Sequence, residues 1–395
     1  MTARPPVLDA GRAVTTAREQ AVLLAEDAAA RDAERRLPGP EVDALAAGGL
    51  LGITVPAAHG GPGLPASVVA EVFRLLATGD PNVAQIPHSH FVYVRTLRDR
   101  ATPEQQRFFF GEVLAGRWFG NAQAEPGTRH ARDLRTTLRP DGGGWRLDGV
   151  KGYSTGALFA DWIPVLAHRG DDGPLVVAWV RREAAGVEVL DDWDGLGQRT
   201  TASGTVRLTG VRVAAEHVTG YAETFDGPQV HGAFAQLLHA ALDTGIARAA
   251  LADAAEFVRT TSRPYPDAGV DRHAEDPLVA HAFGELELAV RAAEALLHVA
   301  GRAVDVADRD LDADTAREAG LAVAAARVAS TRASVEAASR LFELGGTRSA
   351  LAAHRLDRHW RNARTHTLHD PAAWKLQHLG RWIADGVEPP NHPQF

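Results

Sequence analysis

The chain has 395 residues, 45% apolar and 23% charged, with a net charge of −8. That length predicts two or three structural units, and the negative balance excludes a general attraction to nucleic acid or an anionic membrane. No apolar run reaches the length of a membrane span and the N-terminus lacks the basic-then-apolar order of a signal peptide, so the expected home is the cytoplasm.

The first unit, residues 1–116, reads as helical. Val14, Ala17, Ala21, Leu24 and Ala28 recur at helical spacing and predict a helix over about 15–36, which Pro38-Gly39-Pro40 stops. A short helix runs to Gly48-Gly49, and His59-Gly60-Gly61-Pro62-Gly63 is a loop. Further helices are expected near 66–77, 83–100 and 103–115. The last is capped by Thr102, with Gln105 in the reach-back position.

Residues 117–226 change texture. Short β-branched or alternating runs at 134–138, 145–147, 162–167, 175–180, 187–190 and 205–208 are separated by glycine-rich turns. Strands this closely spaced predict an antiparallel β-barrel or sandwich. Asp148-Gly149 and Thr209-Gly210 read as tight hairpin turns. Residues 227–395 return to helix. Long alanine-rich amphipathic segments over 230–261, 277–308 and 313–344 predict an antiparallel four-helix bundle. The fold class is α+β, ordered helices, β domain, helical bundle.

There is no cysteine, and Met1 is the sole methionine. This removes disulfides, thiolate catalysis and cysteine metal sites. Lys151 and Lys375 are the only lysines, which fits a GC-rich genome; sulfur thrift is a second explanation for the missing methionine. The densest chemistry lies in 358–375, where Arg358, Arg361, Arg364, His359, His366 and His369 alternate with Trp360, Leu368 and Trp374. Guanidinium forks grip anions and imidazole titrates near neutrality, so this window is the first candidate site. His366 and His369 have metal-ligand spacing but no matching pair, so no metal is expected.

Three blocks carry a resemblance: Ala124-Glu125-Pro126-Gly127, the run from Trp145 to Gly156, and the run from Gly195 to Gly204 continued by 211–218. They resemble successive motifs of the acyl-CoA dehydrogenase superfamily, in order, over almost the whole chain. The resemblance implies a flavin between β domain and bundle, in a homotetramer. Asn121, Gln123 and Ala124 then fall on one flavin-lining strand, and Tyr153, Ser154 and Thr155 on the second. An aromatic can cover the ring face while amides and hydroxyls bond its edge. Departures at 263–266 and 276–281, where the family offers groups to the adenosine half of FAD, point to FMN. Arg361 and Arg364 are candidate partners for its phosphate, as are Arg129, His130 and Arg132 of the loop 127–133.

Dehydrogenases of the family place a catalytic carboxylate where Asp370 stands here, so an FAD-dependent acyl-CoA dehydrogenase with Asp370 as base is the alternative. The run Arg361-Asn362-Ala363-Arg364-Thr365-His366-Thr367-Leu368-His369-Asp370-Pro371 is instead similar to the oxygenase branch that includes dibenzothiophene monooxygenase and sulfur-acquisition oxidoreductases. That branch takes reduced FMN from a separate reductase, forms a flavin hydroperoxide with dioxygen and oxygenates a small organosulfur molecule. Sulfur thrift suits such a role. The resemblance implies Asn121, Ser154 and His369 as hydroperoxide partners, with His90 and Tyr93 closing the pocket; His88 reads as a core-satisfied histidine. The proline-stiffened tail 388–395 is expected to lie over a neighbouring subunit.

Overall fold

The computed structural model describes residues 4–130 and 132–395, so Met1 and Ala131 of the 127–133 loop lie outside the described residues. The N-terminal layer holds α1 (Ala10–Glu34), α2 (Gly39–Ala47), α3 (Ala66–Gly79), α4 (Pro81–Gln85), α5 (His88–Arg100) and α6 (Pro103–Leu114). Asp9 caps α1, accepting from the Arg12 amide at 2.8 Å, and the expected Ala17–Ala21–Leu24–Ala28 stripe is buried. Small residues let α1 and α3 touch: a Cβ on Gly79 would sit 2.2 Å from the Ala21 carbonyl oxygen. The Thr102–Gln105 capping box starts α6 as read.

One predicted helix is two. The run over 83–100 breaks into α4 and α5 at Pro87, which cannot donate a helical hydrogen bond. The break sets His88 at the start of α5.

The middle region is one seven-stranded sheet of β1 (Thr137–Asp141), β2 (Gly144–Lys151), β3 (Trp162–Arg169), β4 (Leu175–Arg181), β5 (Val187–Val189), β6 (Val206–Val213) and β7 (Val218–Gly220), in the order β5-β6-β2-β1-β3-β4-β7. The sheet is mixed, for β1 and β3 run parallel while the other pairs are antiparallel. Leu138, Leu147, Ile163, Val165, Val176 and Ala178 build its buried face.

The two Asp-Gly-type pairs are not hairpin turns. Asp148-Gly149 lies inside β2 and Thr209-Gly210 inside β6, opposite one another where the register shifts between Leu147 and Gly149. Asp148 Oδ1 accepts from the Gly210 amide at 2.7 Å, and the missing Cβ of Gly149 makes room for Thr136. The β1–β2 turn is Gly142-Gly143, with φ of 57° and 91°.

The C-terminal bundle consists of α7 (His231–Thr260), α8 (Pro277–Arg309), α9 (Ala313–Gly345), α10 (Asp357–His366) and α11 (Ala372–Asp385). Helix α7 is its axis, buried over most of its first five turns and pressed against α3 at Gly245, where a Cβ would meet the Arg74 carbonyl oxygen at 2.5 Å. The tail returns onto its own chain, contrary to the expectation of a neighbouring subunit. Phe395 packs against Gly232 and Gly320, and the Gln394 carbonyl accepts from Lys375 Nζ. No described helix is long and apolar enough to cross a membrane.

Candidate active site

Residues 119–124 run beside β3, with parallel bridges Phe119–Trp162 and Ala122–Val165. Gly120 permits this approach, since a Cβ there would lie 2.9 Å from Ala157 Cα. The segment meets the loop after β2. Asn121 Nδ2 donates to the Tyr153 carbonyl at 3.2 Å, and the Gly152 amide donates to the Ala124 carbonyl at 2.9 Å. Below them Lys151 and Glu125 pair at 2.7 Å out of solvent. Burial pulls the lysine down to about 8 although Glu125 opposes it, and Lys151 also donates to the Gln123 carbonyl at 3.1 Å.

Unused hydrogen-bonding groups collect here. Asn121 Oδ1, Ser154 Oγ, Thr200 Oγ1 and both side-chain termini of Gln198 are buried without a partner among the described residues. Leaving a buried polar atom unpaired costs about 1–3 kcal/mol, so such a group marks a place for a ligand. Tyr153 stands 64% exposed above Ser154. Tyr153, Gln198 and Ala202 all hold left-handed φ values of 49–52°, unusual for residues with side chains. Thr155, Ser203 and Thr201 hydroxyls form a chain with 2.7 Å links that braces the loop.

Helix α10 closes this region. Gly197 lies so close that a Cβ would be 1.9 Å from the Arg361 carbonyl oxygen. Its amide donates to Thr365 Oγ1 at 2.9 Å, and the Gln198 amide to Asn362 Oδ1 at 2.7 Å. Asn82 of α4 receives the Thr200 amide at 3.3 Å.

His366 at the end of α10 and His369 just after it both approach His239 of α7. His239 of α7 lies between His88 and His369, each ring centroid 4.0 Å from its own. His88 Nε2 donates to the Ala235 carbonyl at 3.0 Å. Burial lowers His88 to about 4 and His369 to about 3, so both are neutral at pH 7. Protein crowds His369 on its His239 side while the residue keeps an exposed surface. The two sides adjoin at the α4–α5 break: a Cβ on Gly156 would meet Ile86 at 3.2 Å, and His88 follows two residues on.

Several expectations need revision. His90 is fully buried and both ring nitrogens bond backbone, Nε2 to the Leu51 carbonyl at 2.8 Å and Nδ1 from the Phe119 amide at 3.1 Å. It has no nitrogen left for a ligand and instead fixes the start of the 119–124 segment. His88, read as core-satisfied, does bond a carbonyl, yet its ring face joins the histidine stack. Tyr93 is buried edge-on to Trp179, beside Gln123; burial raises its pKa and its hydroxyl has no described partner.

Arg361 is consumed within the chain, bonding Asp32 at 2.5 Å, Asp357 at 2.7 Å and the Leu196 carbonyl at 3.3 Å, which ties α10 to α1. It is thus an internal clamp rather than a ready phosphate partner. Arg364 gives one bond, to Thr367 Oγ1 at 2.9 Å, and its Nε has no described partner. Arg129 pairs with Asp133 at 3.0 Å on the exposed loop shared with His130 and Arg132. Asp370 is held by Lys375 at 2.5 Å, unlike a free general base.

Sequence reading missed His239, Asp243, Arg327 and Asn362. The available signal was periodicity: Gln236, His239 and Asp243 repeat at three and four residues inside an alanine- and leucine-rich helix, one polar face where burial was expected.

Comparison with known proteins agrees with this architecture. The acyl-CoA dehydrogenase N-terminal, middle and C-terminal domain profiles match residues 13–117, 121–211 and 237–373. A Pseudomonas putida protein described as a probable FMNH2-dependent monooxygenase, SfnC, is 32% identical over 95% of this chain and 96% of its own. The FMN-bound crystal structure of TdsC from Paenibacillus sp. A11-2, a dibenzothiophene monooxygenase, superimposes with a TM-score of 0.92 at 32% identity, covering 97% of this chain and all of that one (100%). Methanesulfinate monooxygenase MsuC from Pseudomonas fluorescens gives 0.89 at 32% identity, covering 97% and 99%.

Proposed function

The chain belongs to the acyl-CoA dehydrogenase family, and on that premise we propose that it is an FMNH2-dependent monooxygenase acting on a small organosulfur compound. The observation that carries this reading is the exchange at the site. Asp370, the base of the dehydrogenase alternative, is bound to Lys375, while three stacked histidines occupy the cleft.

The residues present fit a flavin. Asn121 Oδ1, Ser154 Oγ and Thr200 Oγ1 offer unpaired polar atoms to the edge of a planar heterocycle, and Tyr153 offers an exposed ring to its face. Gln123, Ala124 and Thr155 complete the two lining segments, and Arg364 of α10 keeps an Nε without a described partner. When bound, reduced FMN supplies two electrons to dioxygen, so that one oxygen atom goes to sulfur and the other leaves as water.

The chain's own contribution is positional. Ser154 and Asn121 hold donors and acceptors at the barrel side. His369, neutral at pH 7, can donate one N–H to the oxygen that will be transferred and keep it electrophilic. His88 and His239 back its ring and exclude water, which would otherwise divert the oxygen to hydrogen peroxide. Tyr93 seals the N-terminal side.

In this reading a separate NAD(P)H:flavin reductase supplies the reduced FMN in the cytoplasm, and the working form is a homotetramer. Exposed Leu278 and Leu288 on α8 and Trp374 and Ile383 on α11 are the apolar surface such an assembly would cover. Titrating the protein with FMN and FAD, and then adding acyl-CoA anaerobically, tests the assignment. Tighter FMN binding without bleaching is expected; FAD binding with bleaching by acyl-CoA would overturn it.

A further inference from the structure

Behind the histidine stack lies a row of buried groups that flavin binding does not use. Asp243 of α7 is completely buried. One of its oxygens accepts from Arg327 Nη1 at 2.5 Å, and the other lies 2.6 Å from His366 Nδ1. His366 Nε2 is in turn 3.0 Å from His239 Nδ1. The row ends at His239 Nε2, which is buried, with no partner among the described residues. Both faces of that ring are covered by His88 and His369, so this nitrogen is its one in-plane outlet.

The proton positions follow from valence. Arg327 can only donate, so Asp243 remains an acceptor at both oxygens and His366 Nδ1 carries a proton. With His366 neutral, its Nε2 accepts from His239 Nδ1–H and His239 Nε2 is a bare lone pair. If a proton enters at His239 Nε2, the Nδ1 proton passes to His366 Nε2, giving an imidazolium beside Asp243. One proton has moved across the row with no heavy atom displaced.

We propose that Asp243, His366 and His239 form a proton relay whose free end is the unpaired His239 Nε2 between His88 and His369, with Arg327 fixing the orientation of Asp243. The proposal rests on the monooxygenase reading for its use. There, the O–O bond breaks with two electrons from reduced FMN, one oxygen bonds to a sulfur lone pair, and the other leaves as water with two protons. The relay takes up one proton that the reduced flavin gives up as it is oxidised and returns it to the oxygen that leaves as water, so that the two protons of FMNH2 account for the two of the water. His366 is thus a positioning and storage residue, and the unpaired His239 Nε2 the end at which the proton enters and leaves.

The electrostatic surroundings agree. Burial pushes Asp243 upward, and the facing His366 and Arg327, with the hydrogen bonds both give it, more than reverse this; the His366 share is the one that applies once His366 holds the relayed proton. His239 is held well below its ordinary value by burial first, then by His369, His88, His366 and Arg327. Burial thus disfavours a charged His239, and His366 Nε2, 3.0 Å from its Nδ1, is the acceptor in place for that proton. Lys375 of α11 and Asp370 of the α10–α11 connection pair with one another at 2.5 Å.

Asp243→Asn provides the test. Arg327 keeps the amide oxygen, so the NH2 group faces His366 Nδ1 and reverses the row: His366 becomes Nε2-protonated and His239 presents Nε2–H at the free end. Nitrogen-15 histidine NMR of the flavin-free protein reads this directly. The wild type should show a bare His239 Nε2, and Asp243→Asn a protonated one, with FMN affinity unchanged within about 3-fold and coupled product formation lowered about 100-fold or more. A wild-type spectrum with His239 Nε2 protonated at pH 7 would overturn the relay, and needs no variant to fold. Identical tautomers in wild type and variant, or undiminished coupling, would overturn it as well. Correct tautomers with no oxygenation of any sulfur compound would instead strike at the proposed function.

Discussion

His90 allows a worked prediction of acid stability. Its two nitrogens face a carbonyl and an amide N–H, so only the neutral ring satisfies both; a second proton on Nδ1 would oppose the Phe119 amide head-on. Burial lowers its pKa to about 4, against about 6.5 in the unfolded chain. Between those values the unfolded state binds more protons, so stability falls as pH drops through about 6.5 and levels off below about 4. A difference of about 2.5 units at about 1.4 kcal/mol each makes roughly 3 kcal/mol. For a chain of this length the unfolding entropy converts that into about 4 °C of Tm. His88 and His231 are lowered similarly and add to the wild-type slope. The difference from His90→Gln, whose amide can still donate to Leu51, isolates the one group. Tm should be measured from pH 7.5 to 4.5 for both proteins. The variant, less stable at pH 7.5, should show a shallower acid decline by about 4 °C; parallel curves would refute the placement of His90 as a neutral backbone bridge.

Other substitutions separate scaffold from site. Ser154→Ala removes an unpaired buried hydroxyl, so it should leave the flavin-free Tm unchanged or raised while weakening FMN about 10-fold by fluorescence titration; a loss of Tm with unchanged affinity would make Ser154 structural. His369→Ala should lower product per FMNH2 consumed at least 10-fold and raise hydrogen peroxide, measured by a peroxidase-coupled assay. Unchanged coupling would remove His369 from the chemistry. Asn362→Ala strands the buried Gln198 amide, which should cost about 1–3 kcal/mol in denaturant unfolding and loosen the loop over the flavin.

The long helices were legible because their apolar stripes and stop signals are local: α7, α8 and α9 begin and end within two residues of the positions read from spacing and from Gly345-Gly346. Asp148-Gly149 was misread because turn propensity is also local, whereas a bulge is decided by the register of the partner strand, out of reach of the sequence window. The same limit explains the site. Asn121 and Ser154 sit in motifs a few residues long, so resemblance could single them out, and each carries a buried polar atom without a described partner. Arg361 looked like an anion binder only because Asp32, 329 positions earlier in the chain, was invisible as its partner. His239 and Asp243 were overlooked because buried polar residues in an alanine-rich helix acquire meaning only when α10 brings His366 to them.

The most direct test is an isotope experiment. The protein is supplied with FMN, a flavin reductase, NADH and a panel of small sulfides, sulfinates and thiophenes under 18O2, and the products are weighed by mass spectrometry. The account predicts one 18O atom gained per sulfur oxidation step, dependent on the protein and on reduced FMN. Product oxygen drawn from water, or no oxygenation alongside oxidation of an acyl-CoA, would contradict it.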